Sequence, residues 1–309
     1  MKRLEGKAIL VTGATGFIGS HLVARLSEIS GVHLLLLSRQ PRHSEQPNAV
    51  WIKSALGQLT PGFWRDHSIS HIDYVFHLGG YVPKSSADAN NAVKAIEDNI
   101  LGTNALLESL PRSLGTFVFT STLDVYAQKE DSDVITEHSK VSPKTLYGAS
   151  KFFCESIVSA WARCHNCHYV ILRYGHIYGP GEEKYEKLIP AIIRNLSQDI
   201  EPLIYGDGSV LRDYFYVDDA VEATLRSALV RENIDPLNVV SGQALSINEI
   251  AQLLISLTGS KQRIKYRPDK QNYCSILFDN TKMKELLGIW PVVPLETGLA
   301  SEIKAFRKK

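Results

Sequence analysis

A tyrosine and a lysine four residues apart are well suited to proton chemistry. Tyr147 and Lys151 stand in the run Tyr-Gly-Ala-Ser-Lys, and residues at this spacing share one face of a helix. A phenol has an ordinary pKa of roughly 10, and a nearby ammonium group favours its ionised form. Bringing that pKa near 7 requires about 4 kcal/mol, which burial beside Lys151 and a second positive charge would supply together. Such pairs also arise by chance, so the pair indicates a catalytic site only if the surrounding sequence supports one.

A glycine-rich turn near the N-terminus separates a strand-like run from a helical one. Residues 8–12 lead into Gly13-Ala14-Thr15-Gly16-Phe17-Ile18-Gly19, and residues 20–26 read as a helix. Glycines allow a tight turn and close approach of the backbone to a pyrophosphate, while the helix N-terminus offers unpaired amides. The segment predicts a dinucleotide site formed by Gly13, Thr15, Gly16, Phe17, Ile18 and Gly19.

The end of the second predicted strand indicates which dinucleotide binds. In an NAD site this strand usually ends in an acidic residue that bonds the ribose hydroxyls. Here Ser38 and Arg39 stand there, Arg42 follows, and the first carboxylate is Glu45. A guanidinium suits a 2′-phosphate better than a bare hydroxyl, so the sequence favours NADP. Alternatively, Arg39 lies on the adenine face or in solvent, which leaves NAD possible.

The rest of the chain predicts an α/β fold with a doubly wound, Rossmann-type parallel sheet. Short apolar runs without polar alternation are typical of strands covered on both faces. They occupy residues 8–11, 32–37, 50–53, 74–78, 116–120 and 169–173, with a later strand at 237–240. Helices are expected at residues 188–196, 218–230, 247–257 and 295–306. We expect a dinucleotide-binding domain over residues 1–175, joined by a returning segment at about 210–240, and an interleaved, smaller α/β substrate-binding lobe over 176–309.

Composition limits the partners and the compartment. The 309 residues carry 34 Lys plus Arg against 33 Asp plus Glu, a formal charge of +1, which gives no electrostatic case for nucleic acid or a membrane surface. No apolar run approaches the roughly 20 residues of a membrane span, and no signal peptide is recognisable, so a cytoplasmic location is expected. Cys164-His165-Asn166-Cys167-His168 matches a haem-attachment string, but we interpret it as a structural turn and expect no metal.

Further short motifs follow the glycine turn. They are His77-Leu78-Gly79-Gly80, Asn99-Ile100-Leu101-Gly102-Thr103-Asn104, Thr120-Ser121-Thr122-Leu123-Asp124-Val125-Tyr126, Arg173-Tyr174-Gly175-His176-Ile177-Tyr178-Gly179-Pro180, Gly206-Asp207-Gly208-Ser209, Arg212-Asp213-Tyr214, Val217-Asp218-Asp219 and Leu286-Leu287-Gly288. With the Tyr147–Lys151 pair, these resemble, nearly end to end, the extended short-chain dehydrogenases/reductases of the NAD-dependent epimerase/dehydratase family. Members of that family act on nucleotide sugars.

The resemblance implies roles for individual residues. Tyr147 is the acid/base for a sugar hydroxyl or keto group, Lys151 holds the nicotinamide ribose and lowers the Tyr147 pKa, and Thr122 bonds the reacting oxygen. The remaining cofactor contacts fall on Leu78, Gly79, Gly80, Asn99, Thr120, Ser121 and Tyr174. Asn99 ties the site to the neighbouring helix. The helices after Asn90 and Pro143 imply a homodimer.

For the substrate, the resemblance implies that Arg212 clamps the diphosphate and that Leu188, Ile189 and Tyr205 lie near the nucleotide base. Two alternatives stay open. Asn99 could serve only as a helix contact, and Arg212 could form a salt bridge to its neighbour Asp213.

Several positions depart from the family pattern. Dehydratases usually carry an acid and a base after the catalytic Thr, whereas this chain has Leu123 and Asp124, which argues against dehydration. Asp124 is either a proton carrier or an orienting group. His176 replaces a substrate-contacting Asn, and it either binds substrate or packs in the core. Ala55 stands where an adenine-contacting Asp is usual, and Gly79-Gly80 replaces paired alanines, which we expect to enlarge the space beside the cofactor.

These observations favour an NADP(H)-dependent oxidoreductase, most simply a reductase of a nucleotide-linked 4-keto-(6-deoxy)hexose. The main alternative is a nucleotide-sugar C4 epimerase that resembles UDP-glucose 4-epimerase and retains NAD tightly. Both reactions use the same residues. A member without turnover that senses nucleotides would form a third class, but the intact Thr122, Tyr147 and Lys151 argue against it.

Overall fold

A computed structural model describes residues 1–40, 47–127, 134–268, 274–289 and 291–307. Its strands, β1 to β14, are Ala8–Thr12, His33–Ser38, Ala49–Lys53, Tyr74–His77, Thr116–Thr122, Val134–Ile135, His168–Tyr174, His176–Tyr178, Leu203–Tyr205, Leu211–Tyr216, Ile234–Val239, Ala244–Ser246, Lys265–Arg267 and Leu277–Phe278. Its helices, α1 to α10, are Phe17–Ser27, Phe63–Asp66, Ala92–Lys94, Gly102–Ser109, Leu146–Cys164, Leu188–Ser197, Val217–Ser227, Ile247–Thr258, Thr281–Leu287 and Leu295–Arg307. A π-helix, Ala95–Leu101, joins α3 to α4. Arg42 and Glu45 lie outside the described residues.

Seven strands form one parallel sheet in the order β3-β2-β1-β4-β5-β7-β11. Strands β2 and β3 are added on one side of β1. The chain then crosses back, and β4, β5, β7 and β11 are added on the other side of β1. The strand order therefore reverses between β1 and β4, and ligands of open α/β sheets bind at the carboxyl ends of strands at such a point. The predicted Rossmann-type fold is confirmed.

Apolar residues on both faces of the strands hold the sheet. In β1, Ile9 and Val11 belong to the core cluster on one face, and Leu10 belongs to the cluster on the other. All three are fully buried. Each such side chain contributes about 2 kcal/mol when it leaves water. The unbroken apolar runs in the sequence follow from this double burial.

The remaining strands form smaller sheets outside the central one. Strands β8, β10 and β12 form a three-stranded sheet, and β9 with β13 and β6 with β14 form two parallel pairs. Gly175 stands between β7 and β8, where the chain leaves the central sheet, and β11 returns to it. The core cluster around α1 continues to Ile250 of α8 and Leu299 of α10. None of the described helices is long and apolar enough to cross a membrane.

Candidate active site

The glycine-rich turn packs too closely for side chains. Gly13 has a φ of +71°, and a Cβ there would lie 2.7 Å from the backbone nitrogen of Gly79. A Cβ on Gly19 would overlap the carbonyl group of Gly13. Helix α1 begins after Gly16 without a side-chain cap, so its first amides point to the space above β1. Glycine backbone and a helix N-terminus together form a cradle that suits a pyrophosphate.

A cavity of about 890 Å³ runs along the carboxyl ends of the central strands. It extends from the turn after β1, past the end of β2, to the smaller sheet. All predicted site residues line it, except Asn99 and Tyr205. Tyr205 is 53% exposed on β9. The fold thus gathers residues from position 13 to position 212 around one volume.

Tyr147 and Lys151 lie in the first turns of α5. The Thr145 side chain caps this helix by accepting from the Gly148 amide at 3.0 Å. A Cβ on Gly148 would lie 2.5 Å from the carbonyl oxygen of Asp124, so the helix packs tightly against the end of β5. That contact brings the Tyr147 hydroxyl within hydrogen-bonding reach of the Thr122 side chain.

Burial dominates the ionisation of both groups. It raises the pKa of Tyr147 well above its usual value, the Asp124 carboxylate raises it further, and the Thr122 hydrogen bond only partly opposes this. Burial lowers the pKa of Lys151 to about 8, against the opposite effects of Cys154 and Glu155. The Lys151 ammonium lies 4.3 Å from the centre of the Phe119 ring. The protein's own groups therefore raise the pKa of Tyr147, and the expected lowering, which also requires the charge of a bound cofactor, stays a prediction.

Asn99 lies behind the cavity on the π-helix. Its side-chain oxygen accepts from the Tyr81 amide at 2.7 Å, and its amide group donates to the Ser150 hydroxyl at 3.0 Å. Asn99 thus joins the loop after β4 to the catalytic helix. A Cβ on Gly80 would lie 2.5 Å from the Asn99 side-chain oxygen, and one on Gly79 would lie 2.8 Å from the Thr12 hydroxyl. The two glycines permit these close contacts, and both line the cavity.

The cofactor end of the cavity has a cation at its edge. Ser38 and Arg39, at the carboxyl end of β2, line the cavity beside Ser54 and Ala55, which follow the neighbouring strand β3, and the Ser54 amide donates to the Ser38 carbonyl oxygen at 2.9 Å. Arg39 is exposed. Among the described residues of this edge, no carboxylate lines the cavity. The edge suits an anionic group on the adenosine ribose.

Basic and apolar side chains line the substrate end. The Arg212 guanidinium donates to the carbonyl oxygens of Leu211 and Cys274 at 2.8 and 2.9 Å. The Asp213 carboxylate accepts the amides of Ser241 and Gly242 at 2.9 and 2.7 Å, so it secures the turn after β11. These two hydrogen bonds hold Arg212 at the cavity wall.

His176 lies between this arginine and the catalytic end. Its ring centre is 5.7 Å from that of Tyr214, and both residues line the cavity. Burial, followed by the charges of Arg212 and Lys187, lowers the pKa of His176 to about 4. The imidazole is neutral at neutral pH and adds no charge to the cavity.

Sequence reasoning assigned no role to three ionisable groups, of which Lys187 and Glu182 line the cavity and His77 is buried behind it. Lys187 lines the cavity, and its ammonium lies 2.6 Å from a carboxylate oxygen of Glu182. Burial raises the pKa of Asp124, and Lys187 partly opposes this, so the two groups interact. His77 is fully buried between the hydroxyls of Thr12 and Thr103, at 2.6 and 3.0 Å, and burial lowers its pKa to about 3. Only the position of Lys187 directly before Leu188 could have signalled its role.

The cysteine-rich string lies where a turn was expected. Cys164 ends α5, His165 stacks on Trp161, and β7 begins at His168. Cys167 is buried, and burial raises its pKa to about 12. Within the described parts of the chain, no group of three or more His, Cys, Asp or Glu side chains is placed to hold a metal ion.

The glycine cradle, the parallel sheet and the Tyr147–Lys151 pair beside Thr122 define an extended short-chain dehydrogenase/reductase. The family model for the NAD dependent epimerase/dehydratase family matches residues 9–240. The chain belongs to this family, and it is an enzyme of that class with a pyridine-nucleotide site.

Three relatives illustrate the range of reactions around this chain. A UDP-N-acetyl-alpha-D-glucosaminuronate decarboxylase of Bacillus cytotoxicus is 29% identical, with 98% of each chain covered. A dTDP-4-dehydro-6-deoxy-D-allose reductase of Streptomyces bikiniensis is 28% identical, covering 99% of this chain and 98% of the relative. The crystal structure of a UDP-glucose 4-epimerase with UDP-glucose from Thermotoga maritima has a TM-score of 0.85 at 30% identity, covering 97% and 99%.

Proposed function

We propose that the protein is an NADP(H)-dependent reductase of a nucleotide-linked 4-keto hexose, in particular a 6-deoxy sugar. The observation that carries the proposal is Arg39 at the ribose edge of the cavity, without a carboxylate among the described residues there. A 2′-phosphate would pair with the guanidinium by charge-assisted hydrogen bonds. Cells keep NADP mainly in its reduced form, which suits reduction.

The residues present fit a dinucleotide along the whole cofactor end. The amides after Gly16 would hold the pyrophosphate, Ser38 and Arg39 the adenosine ribose, and Lys151 the nicotinamide ribose. Leu78, Gly79, Gly80, Thr120, Ser121 and Tyr174 line the path between these points. The cofactor, when bound, supplies hydride to the substrate carbonyl carbon.

The protein's own part is proton handling. Because the pKa of Tyr147 is raised, its phenol is protonated at neutral pH and can donate a proton to a keto oxygen that is becoming a hydroxyl. The Thr122 side chain, which bonds Tyr147, would hold the same oxygen.

The substrate end would bind the nucleotide portion. Arg212 offers a cation for the diphosphate, and Leu188 and Ile189 offer an apolar surface for the base. His176 and Asp124 line the cavity between them and Tyr147. Dehydratases of the family carry an acid at the position of Leu123. The leucine side chain cannot donate or accept a proton there.

A second candidate is a nucleotide-sugar C4 epimerase. The similarity to the Thermotoga maritima UDP-glucose 4-epimerase over nearly the whole of both chains supports it. In this reaction Tyr147 would first accept a proton from the C4 hydroxyl and later return one. The expected cofactor would be a retained NAD, and Arg39 would then lie beside the adenine or in solvent.

A homodimer fits the surface formed by α3, the π-helix and α5. Val93, Ile96, Leu101 and Phe153 are at least half exposed there, although all four are apolar. A second copy of the same face would cover them. Sedimentation of Phe153→Glu beside the wild type tests this, with a monomeric variant as the expected result and an unchanged mass as the contradiction.

Turnover with two substrates separates the candidate reactions. The protein is mixed with NADPH and dTDP-4-keto-6-deoxyglucose, and separately with UDP-glucose without added nucleotide. A reductase consumes one NADPH for each reduced sugar and leaves UDP-glucose unchanged. Formation of UDP-galactose without NADPH consumption would establish the epimerase instead.

A further inference from the structure

One histidine outside the cavity lining connects three elements of the fold. His21 lies on α1, the helix that follows the glycine-rich turn, and each nitrogen of its ring has a hydrogen-bond partner. Nδ1 lies 2.8 Å from a carboxylate oxygen of Asp218, in the first turn of α7. Nε2 lies 2.8 Å from the carbonyl oxygen of Pro180, in the turn after β8. These contacts, which we call the His21 bridge, join the cofactor-binding helix to two later segments of the chain.

Both partners of the His21 ring are hydrogen-bond acceptors. An ionised carboxylate and a backbone carbonyl group have no proton to donate. A neutral imidazole carries one N–H group and satisfies only one of them, whereas the imidazolium carries a proton on each nitrogen and satisfies both. The complete bridge therefore requires the protonated ring. Burial lowers the pKa of His21, but the hydrogen bonds to Asp218 and Pro180 and the charge of Asp218 more than offset it, so the pKa is raised.

The charged group that acts on His21 is Asp218. On α1 itself, the Phe17 ring meets the imidazole edge to face, with 6.0 Å between the ring centres. The other charged side chains of the three connected elements have partners of their own: Arg25 pairs with Glu28, Glu222 with Arg226, Glu182 with Lys187, and Asp219 accepts the amides of Val292 and Val293. The His21–Asp218 pair therefore sets the charge of the bridge.

The bridge holds the start of residues 180–187, a segment that we call the strap because it runs along the cavity. A Cβ on Gly181 would lie 3.1 Å from the Phe17 ring, so the strap backbone packs directly on α1 there. Further along, the centre of the Tyr185 ring lies 6.5 Å from that of Phe17. The first part of the strap is therefore held against the helix that forms the cofactor cradle.

The far end of the strap has its own attachment. The Glu186 amide donates to the carbonyl oxygen of Lys84, in the loop after β4, at 2.9 Å. Between the two attachments, four side chains of the strap line the cavity: Glu182, Lys184, Tyr185 and Lys187. The Tyr185 phenol also acts on the pKa of Tyr147, so the strap reaches the catalytic centre. A displacement of the strap would move all four side chains relative to the reacting atoms.

We propose that protonated His21 holds the strap on α1 and so positions the strap side chains for a nucleotide sugar, and that loss of the proton releases the Pro180 end. The neutral ring keeps its Nδ1 proton for Asp218, since a bond to a carboxylate is the stronger one. Nε2 then carries a lone pair that faces the Pro180 carbonyl oxygen, and this contact becomes repulsive. His21 is a positioning residue, because it does not line the cavity. That the strap meets a nucleotide sugar rests on the proposed function.

The bridge predicts a pH dependence with a definite sign. A histidine whose pKa is higher in the folded protein than in the unfolded chain favours folding most at low pH. The contribution of His21 is complete below the ordinary value of about 6.5 and is lost as the pH rises through its raised pKa. His21→Gln stays neutral at every pH, whereas His21→Lys keeps a cation that can donate to both partners. His33→Gln, an exposed histidine on β2, is the matched control.

The first experiment follows the proton on His21. Histidine NMR of the wild type, assigned by the signal that is missing in His21→Gln, should show a proton on both ring nitrogens and a titration midpoint above about 6.5. Asp218→Asn removes the carboxylate charge, so it should lower this midpoint. The unfolding temperature of the wild type should fall relative to that of His21→Gln as the pH rises. Lys151, whose pKa is lowered to about 8, titrates in every variant and cancels in the comparison.

The second experiment measures ligand affinity against pH by calorimetry. Affinity for UDP-glucose should fall by about fivefold in the wild type and in His33→Gln as the pH rises through the His21 midpoint, the lower end of the usual coupling between sites. Beyond the change from Lys151 that all variants share, it should stay low in His21→Gln and high in His21→Lys. This contrast between a neutral and a charged replacement separates the proton on His21 from a general loss of packing.

The outcomes separate this proposal from the proposed function. A His21 midpoint at or below about 6.5, or one that Asp218→Asn does not change, would overturn the protonated bridge. A pH-dependent difference in stability with parallel UDP-glucose profiles in the wild type and His21→Gln would overturn the positioning role. If no variant binds UDP-glucose or the dTDP sugar while each binds NADPH, the proposed function fails and the positioning role with it, although the NMR and unfolding results still decide the bridge.

Discussion

The two ends of the cavity are built by different means. At the cofactor end, backbone and glycine contacts fix the shape, as at Gly13 and Gly19, where a side chain would strike neighbouring backbone. At the substrate end, ionisable side chains from distant parts of the sequence fix it, with Lys187 held by Glu182 and Arg212 held by the carbonyls of Leu211 and Cys274. Local sequence specifies the first kind of site, and the tertiary fold specifies the second.

The buried polar atoms reflect the same difference. Among the described residues, those without a hydrogen-bond partner include His176 Nδ1, Glu182 Oε2 and both carboxyl oxygens of Glu302, and none belongs to the glycine turn. Unsatisfied buried groups are costly and concentrate where binding or catalysis requires them. Of these residues, His176 and Glu182 line the cavity.

The largest expected effect is at the junction of the two ends. Tyr147→Phe removes the proton donor, and we expect turnover to fall by about a thousandfold, the usual scale of general acid catalysis. Cofactor affinity should change by less than about twofold, because the ring remains. Tyr205→Phe, an exposed tyrosine outside the cavity lining, is the control. Steady-state kinetics within tenfold of wild type would show that another group supplies the proton.

The next largest expected effect is a loss of NADPH affinity when the glycine turn at the cofactor end is changed. Gly19→Ala places a methyl group against the Gly13 carbonyl, so the turn must shift, and affinity for NADPH should fall by about a hundredfold, or roughly 2.7 kcal/mol. Gly57→Ala is the matched control, since it also lines the cavity but its Cβ would meet nothing within 4 Å. Calorimetric titration measures both variants, and thermal unfolding verifies that they fold. Equal affinities would mean that the turn does not hold the pyrophosphate.

A smaller effect is expected on the preference for NADPH over NADH. Arg39→Ala should reduce the preference for NADPH over NADH by about tenfold, the loss of a charge-assisted contact of about 1.4 kcal/mol. Lys53→Ala, on the neighbouring strand and outside the cavity lining, should leave the preference unchanged. Binding of both nucleotides to each variant gives the ratio directly. An unaltered ratio in Arg39→Ala would place this side chain away from the ribose phosphate.

The smallest effect concerns a residue that the family resemblance places at the nucleotide base. The exposed position of Tyr205, outside the cavity lining, predicts that Tyr205→Ala changes affinity for UDP by less than about twofold. Leu188→Ala, whose side chain lines the cavity, should weaken UDP binding by more. A large loss in Tyr205→Ala would restore the role that the resemblance implied.

The sequence predicts most of the fold because its signals are local. Unbroken apolar runs follow from strands buried on both faces, as Ile9, Leu10 and Val11 show. The glycine turn could be predicted because Gly13 and Gly19 lie where a side chain would clash with backbone atoms of nearby residues. Motif resemblance then supplied residues such as Thr122 and Lys151, which the fold brings to one cavity.

The sequence could not predict the electrostatics. Burial and the Asp124 carboxylate raise the pKa of Tyr147, whereas the sequence alone predicts that Lys151 lowers it. The contact between Gly80 and Asn99 depends on a turn and a π-helix from separate segments. Each of these follows from three-dimensional packing, which residue spacing does not encode.

The central claim, that the site binds NADP(H) for reduction, is tested most directly by the nucleotide that the protein retains. Freshly purified protein is unfolded, and the released nucleotide is identified and counted by mass spectrometry. The account predicts NADP(H), or an empty site that binds added NADPH more tightly than NADH. Near-stoichiometric NAD would contradict the role assigned to Arg39 and would favour the epimerase.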